Sequence, residues 1–450
     1  MTAIAWPDPP TPAPPTPPGY PAGTPGLADG RVFVQIALPR TPYLWGDDAA
    51  TWGDARWGVL TPDEIVDATC DVMGCSITRG RGDPLEHYAP GTFSASLLDP
   101  QRRWGPATID ETGLRTMRVG VPLRVVAVDL DDTPVTVFAG SIRSAVEVDD
   151  GSQVPVVQIQ ATGALGQLEA DHVTAPVGGA GELAGARMQR VLDASHYRAD
   201  WWPSSLAVGV EPLLEFGHGD TPPTSEPADE GVSALKLLEL VADSDGGSLY
   251  EAKDGTVTYA APGDLEARVP RFRFTDDPDP ASDFDDTCPA AITFQTADET
   301  IVNAVAIGSA ADDAWHRVED GVSISWVGRR PVEVDDLLFT NAAHGARLAE
   351  FLLARAIRDE FQVSPVSGEA LTLPGWYAVA LHLELGDPVL LYRNDHAGTF
   401  ARLTAVVQGL RHDITRTAWA VEVALGAAVL RTEYARWSRS SARWGSARWA

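Results

Sequence analysis

Asp71-Val72-Met73-Gly74-Cys75-Ser76-Ile77-Thr78, followed shortly by Gly91-Thr92-Phe93-Ser94-Ala95-Ser96-Leu97-Leu98, sets the reading of the fold. In the second run Phe93, Ala95 and Leu97 alternate with Thr92, Ser94 and Ser96. A period of two puts apolar side chains on one face of a strand and hydroxyls on the other. The same texture extends both ways. Residues 32–38 are β-branched and aromatic, and residues 123–128 and 135–140 flank the turn Asp131-Asp132-Thr133-Pro134. Residues 154–161 close the series. Short strands punctuated by Gly, Pro and Asp predict an antiparallel barrel or sandwich over 31–170.

The middle of the chain changes period. Ala184, Met188, Val191, Leu192 and Ser195 recur at helical spacing, which predicts a helix over 181–196. Ser233 reads as an N-cap, with Val232 and Leu237 flanking it as a hydrophobic staple. Leu235, Leu238 and Ala242 supply the stripe, and Asp245-Gly246-Gly247 ends the helix. Lys253-Asp254-Gly255 then separates two alternating runs, a hairpin signal. A further helix is predicted over 341–361, from Asn341 through Leu348, Phe351, Leu352, Ala356 and Ile357. Strands are predicted at 291–294, 301–307, 376–383, 388–392, 403–407 and 418–425. The chain thus reads as β, then α/β, then β: a β-rich α+β protein. The units are a Pro-rich arm over 1–30, a first β domain over 31–170, a middle region over 171–365, a second β domain over 366–430 and a Trp/Arg-rich tail over 431–450.

Composition excludes several roles. The 450 residues are 44% hydrophobic, enough for several packed units. Acidic residues number 63 against 34 basic ones, for a net charge of −29. Coating a nucleic-acid duplex or an anionic membrane calls for the opposite sign. No run approaches the roughly 20 apolar residues of a membrane span. Cys70, Cys75 and Cys288 are the three cysteines, too few for a disulfide framework, and no His pair accompanies them to bind zinc.

Catalytic patterns are missing from the sequence. There is no Gly-x-Ser-x-Gly, no His-Glu-x-x-His and no Cys/His pair in a recognisable frame. His172, His196, His218, His344 and His382 each stand alone among ordinary neighbours. Gly178-Gly179-Ala180-Gly181 precedes a helix but lacks the Lys-Ser/Thr of a phosphate loop. Asp276, Asp277, Asp279, Asp283, Asp285 and Asp286 offer oxygen ligands for calcium, without the Gly and closing Glu of an EF-hand. The expectation is a non-enzymatic protein with no catalytic residues, no metal and no cofactor.

The tryptophans stand out instead. Trp45, Trp52 and Trp57 lie in Trp-Gly segments near the start, and Trp437, Trp444 and Trp449 in Ala-Arg-Trp segments at the end. Six indoles in short polar segments call for burial against something. A neighbouring subunit is the first reading, and a stacked sugar ring of a host glycan the alternative. These six are the candidate contact residues.

Several segments together resemble the minor tail proteins of long-tailed actinobacterial phages, of the tail-hub type. They are Thr51-Trp52-Gly53-Asp54-Ala55-Arg56-Trp57-Gly58, Cys70 to Arg81 with Pro90 to Asp99, Ser233 to Ala242 with Asp254-Gly255, Ile301-Val302-Asn303-Ala304-Val305, and Gly386-Asp387-Pro388-Val389 with Val407 to Ile414 and Trp419. The resemblance implies a fold like that of contractile-phage baseplate hubs: two related antiparallel β-barrel domains with α/β elements between them. It further implies a homotrimeric ring with pseudo-sixfold symmetry at the tail tip, made in the host cytoplasm and carried in the virion. Implied partners are the distal tail protein, the tape measure protein, other tail-tip proteins and the host surface, with genomic DNA passing through without specific binding. On that reading the acidity repels passing phosphate; otherwise it serves solubility. A receptor- or glycan-binding tail protein and a tail-associated cell-wall hydrolase are the alternatives.

Overall fold

The computed structural model describes residues 27–39, 62–82, 86–108, 117–148, 154–173, 181–197, 204–214, 231–265, 267–276, 285–289, 291–295, 301–310, 312–356, 362–394 and 400–427. Residues 1–26 of the Pro-rich arm, Gly178, Gly179 and Ala180 of the glycine-rich loop, and all six candidate tryptophans (Trp45, Trp52, Trp57, Trp437, Trp444 and Trp449) lie outside the described residues.

The first module contains β1 (Val32–Pro39), β2 (Pro62–Asp67), β3 (Val72–Gly80), β4 (Ala89–Leu98), β5 (Pro122–Val128), β6 (Pro134–Val148), β7 (Val156–Thr162) and α1 (Ala164–Ala170). Next come β8 (His172–Val173), α2 (Ala184–Ala194), β9 (Ser204–Leu206), β10 (Val232–Ser233), α3 (Ala234–Asp245), β11 (Ser248–Glu251), β12 (Val257–Ala260), β13 (Phe272–Thr275), β14 (Asp285–Thr287) and β15 (Phe294–Gln295). A three-stranded sheet with two helices follows: β16 (Ala304–Ser309), β17 (Asp312–Glu319), α4 (Gly321–Val327), β18 (Pro331–Leu337) and α5 (Ala342–Ala356). The chain finishes with β19 (Gln362–Val363), β20 (Val366–Glu369), α6 (Trp376–His382), β21 (Pro388–Asn394), β22 (Phe400–Thr415) and β23 (Trp419–Ala427).

Thirteen of these strands form one mixed sheet, in the order β14-β13-β21-β22-β3-β4-β7-β6-β5-β1-β2, with β23 on β22 and β20 on β23. The sequence led us to expect two barrels. Strand pairing among the described residues closes neither module into a ring, and the pairing of β22 with β3 makes them one continuous sheet. A single apolar core spans both modules, from Ile36, Ile77 and Phe93 to Trp376, Val389 and Trp419. Separate cores serve the α1–α2–α3 region and the sheet under α5.

Each module contains the same meander: β5-β6-β7 in the first, β21-β22-β23 in the second. Pro122 faces Ser141 where β5 meets β6, and Pro388 faces Val406 where β21 meets β22. Gly120 and Gly386 precede those prolines at φ +86 and +78. The Gly120 amide donates to the Ile142 carbonyl at 2.7 Å and the Ile142 amide to Val121 at 2.8 Å. Gly386 and Val407 repeat the exchange, donating to Val407 and Asp387 at 2.9 Å each. Directly afterwards each long strand slips register, between Ile142 and Ser144 and between Val407 and Gly409. At the far end the Asp99 amide donates to Pro155 at 2.9 Å, and that of Ala370 to Trp419 at 2.8 Å. Counting along the ladders from Ile142 and from Val407 reaches these two bonds in the same number of steps. The backbone pattern of the β6–β7 ladder is therefore repeated in β22–β23, whereas the β5–β6 ladder slips register between Val125 and Val126 and the β21–β22 ladder does not.

Two sequence expectations need correction. In place of the strand expected over 376–383, Trp376–His382 is a helix, with Trp376, Val379 and Ala380 buried at helical spacing. The alternation of Trp376, Ala378, Ala380 and His382 imitates a period of two. Ser233 precedes α3, but its hydroxyl donates to the Leu168 carbonyl at 3.3 Å instead of capping the helix. The left-handed cap at Gly246 (φ +80) and the hairpin at Asp254-Gly255 are present as expected.

Candidate functional site

The joint between β3 and β22 is the feature that makes two modules one body. It runs antiparallel from Gly80 opposite Gly409 to Gly74 opposite Thr415. Close approach at its head requires glycine. Gly80 sits at φ +112, and a Cβ there would fall 2.2 Å from the Gln408 carbonyl oxygen and 2.4 Å from the Gly409 Cα. The next residue extends the joint: the Arg81 amide donates to the Gln408 carbonyl at 2.9 Å, and Arg81 Nε to Gln408 Oε1 at 2.5 Å.

Beneath this joint the three parts of the chain meet around buried charges. Arg79 of β3 donates from Nη1 to Glu384 Oε1 at 2.7 Å and to the Glu251 carbonyl at 3.3 Å. Glu384 lies between α6 and β21. Its Oε2 accepts from the Lys253 amide at 3.0 Å, while Lys253 Nζ donates to the Leu381 carbonyl. Glu251, at the end of β11, turns its carboxyl into the first module. There Oε2 accepts from the Leu165 amide at the start of α1 at 3.0 Å. Only glycine leaves room for it, since a Cβ on Gly163 would fall 1.6 Å from Glu251 Oε1. Burial pushes this carboxyl up to about 8, so near neutral pH it keeps its proton. Burial lowers Lys253. Burial, with the charges of Arg79 and Lys253, brings His412 of β22 down to about 3; its ring accepts from Trp419 Nε1 at 3.2 Å.

A cavity of about 110 Å³ opens beside the junction, between Tyr88, Leu249, Leu337 and Leu352. His87 stands at its rim, with Nε2 2.9 Å from Asp243 Oδ2 and Nδ1 3.4 Å from Glu239 Oε2. The hydrogen bond to Asp243 raises the histidine. A histidine shared by two carboxylates ties the β3–β4 loop to α3.

The solvent side of the joined sheet is a polar carpet. Ser76, Thr78, Thr92, Ser94, Gln158 and Gln160 point outward across β3, β4 and β7. A shallow groove of about 440 Å³ crosses them to Asp413 of β22. Arg411 faces the same side, and its Nε lies 2.9 Å from Asp413 Oδ2.

None of the sequence-predicted contact residues falls within the described residues, so the structure brings none of them together. Of the candidate ligands for calcium, Asp277, Asp279 and Asp283 also lie outside, and Asp286 accepts from Arg273 Nε at 2.6 Å. Among the described residues no group of three His, Cys, Asp or Glu side chains is placed to hold a metal. Cys75 is buried on β3 with its thiol pushed up to about 12, far from reactive. His196 is exposed beside Asp171 at 3.0 Å, and His382 lies 2.7 Å from Asp129. The junction residues Arg79, Glu251, Glu384 and His412 escaped sequence reasoning. Lys253 carried the one available signal, as one of two lysines in the chain.

Among solved structures, the chain is similar to the 43 kDa tail protein of prophage MuSo2 from Shewanella oneidensis, at 10% identity and a TM-score of 0.54, covering 88% of this chain and 98% of that one. It is also similar to the tail protein from Neisseria meningitidis MC58, at 14% identity and a TM-score of 0.52, covering 88% and 96%. No family model and no curated protein sequence matches the chain. At these identities the likeness is one of fold: the chain shares the fold of these two tail proteins over 88% of its length.

Proposed function

We propose that the protein is a structural component of a long-tailed phage virion, forming the hub at the distal end of the tail. The observation that carries this reading is the repeated meander, present twice with matched register between its second and third strands and fused by β3–β22 into one sheet. Two equivalent modules per chain let three chains present six similar units to a sixfold tube, while keeping threefold symmetry below. The two modules take the part of the two hub barrels, with 171–365 bracing them from one side. The fold shared with the Shewanella and Neisseria tail proteins supports this reading.

The chain acts by position, not by bond-making. Its junction holds charges in fixed internal pairs, and its outward sheet face carries hydroxyls and amides, with Arg411 offset by Asp413, so that it neither grips nor strongly repels a phosphodiester backbone. With that face toward the axis, the ring gives DNA a path without binding it, and the net charge of −29 keeps phosphates from adhering elsewhere. Partners are the distal tail protein above and the tape measure and tip proteins at the axis. Antibody raised against the purified chain and imaged on intact particles tests the reading. Label confined to the distal tail tip is the expected result; label along the tube, on the capsid or nowhere overturns it.

A further inference from the structure

The long strand of each meander has two halves, and the second half is used differently in the two modules. In β22 the first half carries β21 on one edge, and residues 409–415 carry β3. In β6 the first half carries β5, and the ladder to β5 ends at Ser141. Residues 144–148 of β6 correspond to 409–413 of β22 by the register match. Among the described residues their outer edge has no strand partner. Val146 and Val148 on this segment are 52% and 42% exposed. Glu147, the one charge between them, has Arg102 Nη1 3.4 Å from its Oε1. An open edge bearing valines invites strand addition unless something covers it.

The second module holds the matching donor. Where the first module has β3 beside β4, the second has β15 beside β19, just ahead of β20. Phe294 pairs with Val363, and the Ser364 amide donates to the Thr293 carbonyl at 2.9 Å. β15 and β19 form a two-stranded sheet, so the far edge of β15 is also open among the described residues.

We propose that β15 of a second copy of this chain adds antiparallel to residues 144–148 of β6, repeating between copies the joint that β3 and β22 make within one chain. The occupant is a second copy because the equivalent edge in the other module is already filled by this chain's own strand, at the matching position. Donor and acceptor edges lie on different modules, so the contact is head-to-tail, the kind that forms a ring where the rotation between copies closes. This proposal rests on the ring reading above and names the surface that closes it.

The test uses the full chain, with native mass spectrometry and amide hydrogen exchange. The expected result is a closed trimer in which the amides of 144–148 exchange at least about tenfold more slowly than in the diluted monomer. The double variant Val146→Lys, Val148→Lys is expected to stay monomeric while unfolding at the wild-type temperature, since both side chains face solvent in the single chain. A trimer whose 144–148 amides stay unprotected, or which survives the double substitution, overturns the proposal and leaves the ring reading standing. A wild-type chain that remains a monomer at every concentration overturns both.

Discussion

Glu251 keeps its proton in the folded chain until about pH 8, whereas an ordinary glutamate loses it near 4.5. Between those values the folded state holds a proton that the unfolded state has released, so stability falls as pH rises through the window and levels off above it. Each unit of pKa difference corresponds to about 1.4 kcal/mol, so the loss is on the order of a few kcal/mol. Glu251→Gln keeps an acceptor for the Leu165 amide and cannot ionise. Its thermal midpoint is expected to exceed wild type at pH 9, with a flattened slope between pH 5 and 8 measured by calorimetry. Parallel wild-type and variant profiles would contradict the buried, protonated carboxyl. His412 acts in the opposite direction: held neutral down to about pH 3, it removes stability as pH falls below its ordinary 6.5. The acid limb should therefore survive in the Gln variant. None of this was legible in the sequence, because Glu251, Arg79 and Glu384 are far apart in the chain and meet only through the β3–β22 joint.

The elements differ in how openly the sequence displays them. β3 and β4 bury one face, so their alternation is plain in Phe93, Ala95 and Leu97. α3 shows itself through Leu235, Leu238 and Gly246. α6 did not, because it is short and nearly all apolar, where periods of two and of 3.6 cannot be told apart. Its Trp376 is fully buried and donates from Nε1 to the Cys288 carbonyl at 2.8 Å. Trp376→Ala should cost about 3–5 kcal/mol, read from urea denaturation. The joint itself turns on Gly80. Gly80→Ala forces a Cβ into the β22 backbone and should cost roughly 1–3 kcal/mol, with loss of amide protection along residues 409–415. Gly30→Ala is the control: it shares a positive φ, at +84, but meets nothing within 4 Å. It should cost only about 1 kcal/mol of backbone strain and leave that protection intact. Equal effects of the two substitutions would mean that the joint is not set by close packing.

At the scale of the whole molecule the chain repeats one meander and welds the copies edge to edge. The β-rich α+β character was readable from strand texture. The fusion of the two modules into a single sheet was not, since strand order across 330 residues depends on backbone pairing that leaves no local mark in the side chains. The duplication is equally hidden. Gly120-Val121-Pro122 and Gly386-Asp387-Pro388 share a turn, while the strands beyond them share only their hydrogen bonds. The proposed ring follows from carrying the internal joint over to a neighbouring copy. Cryo-electron microscopy of the full chain, free or within tail tips, tests this most directly. The expected map is a closed ring of three chains with six sheet modules about the axis, β15 of each copy against β6 of the next, and the Ser76–Gln160 face toward the channel. A lone chain, or a ring in which that face points outward and the β6 edge stays bare, would contradict it.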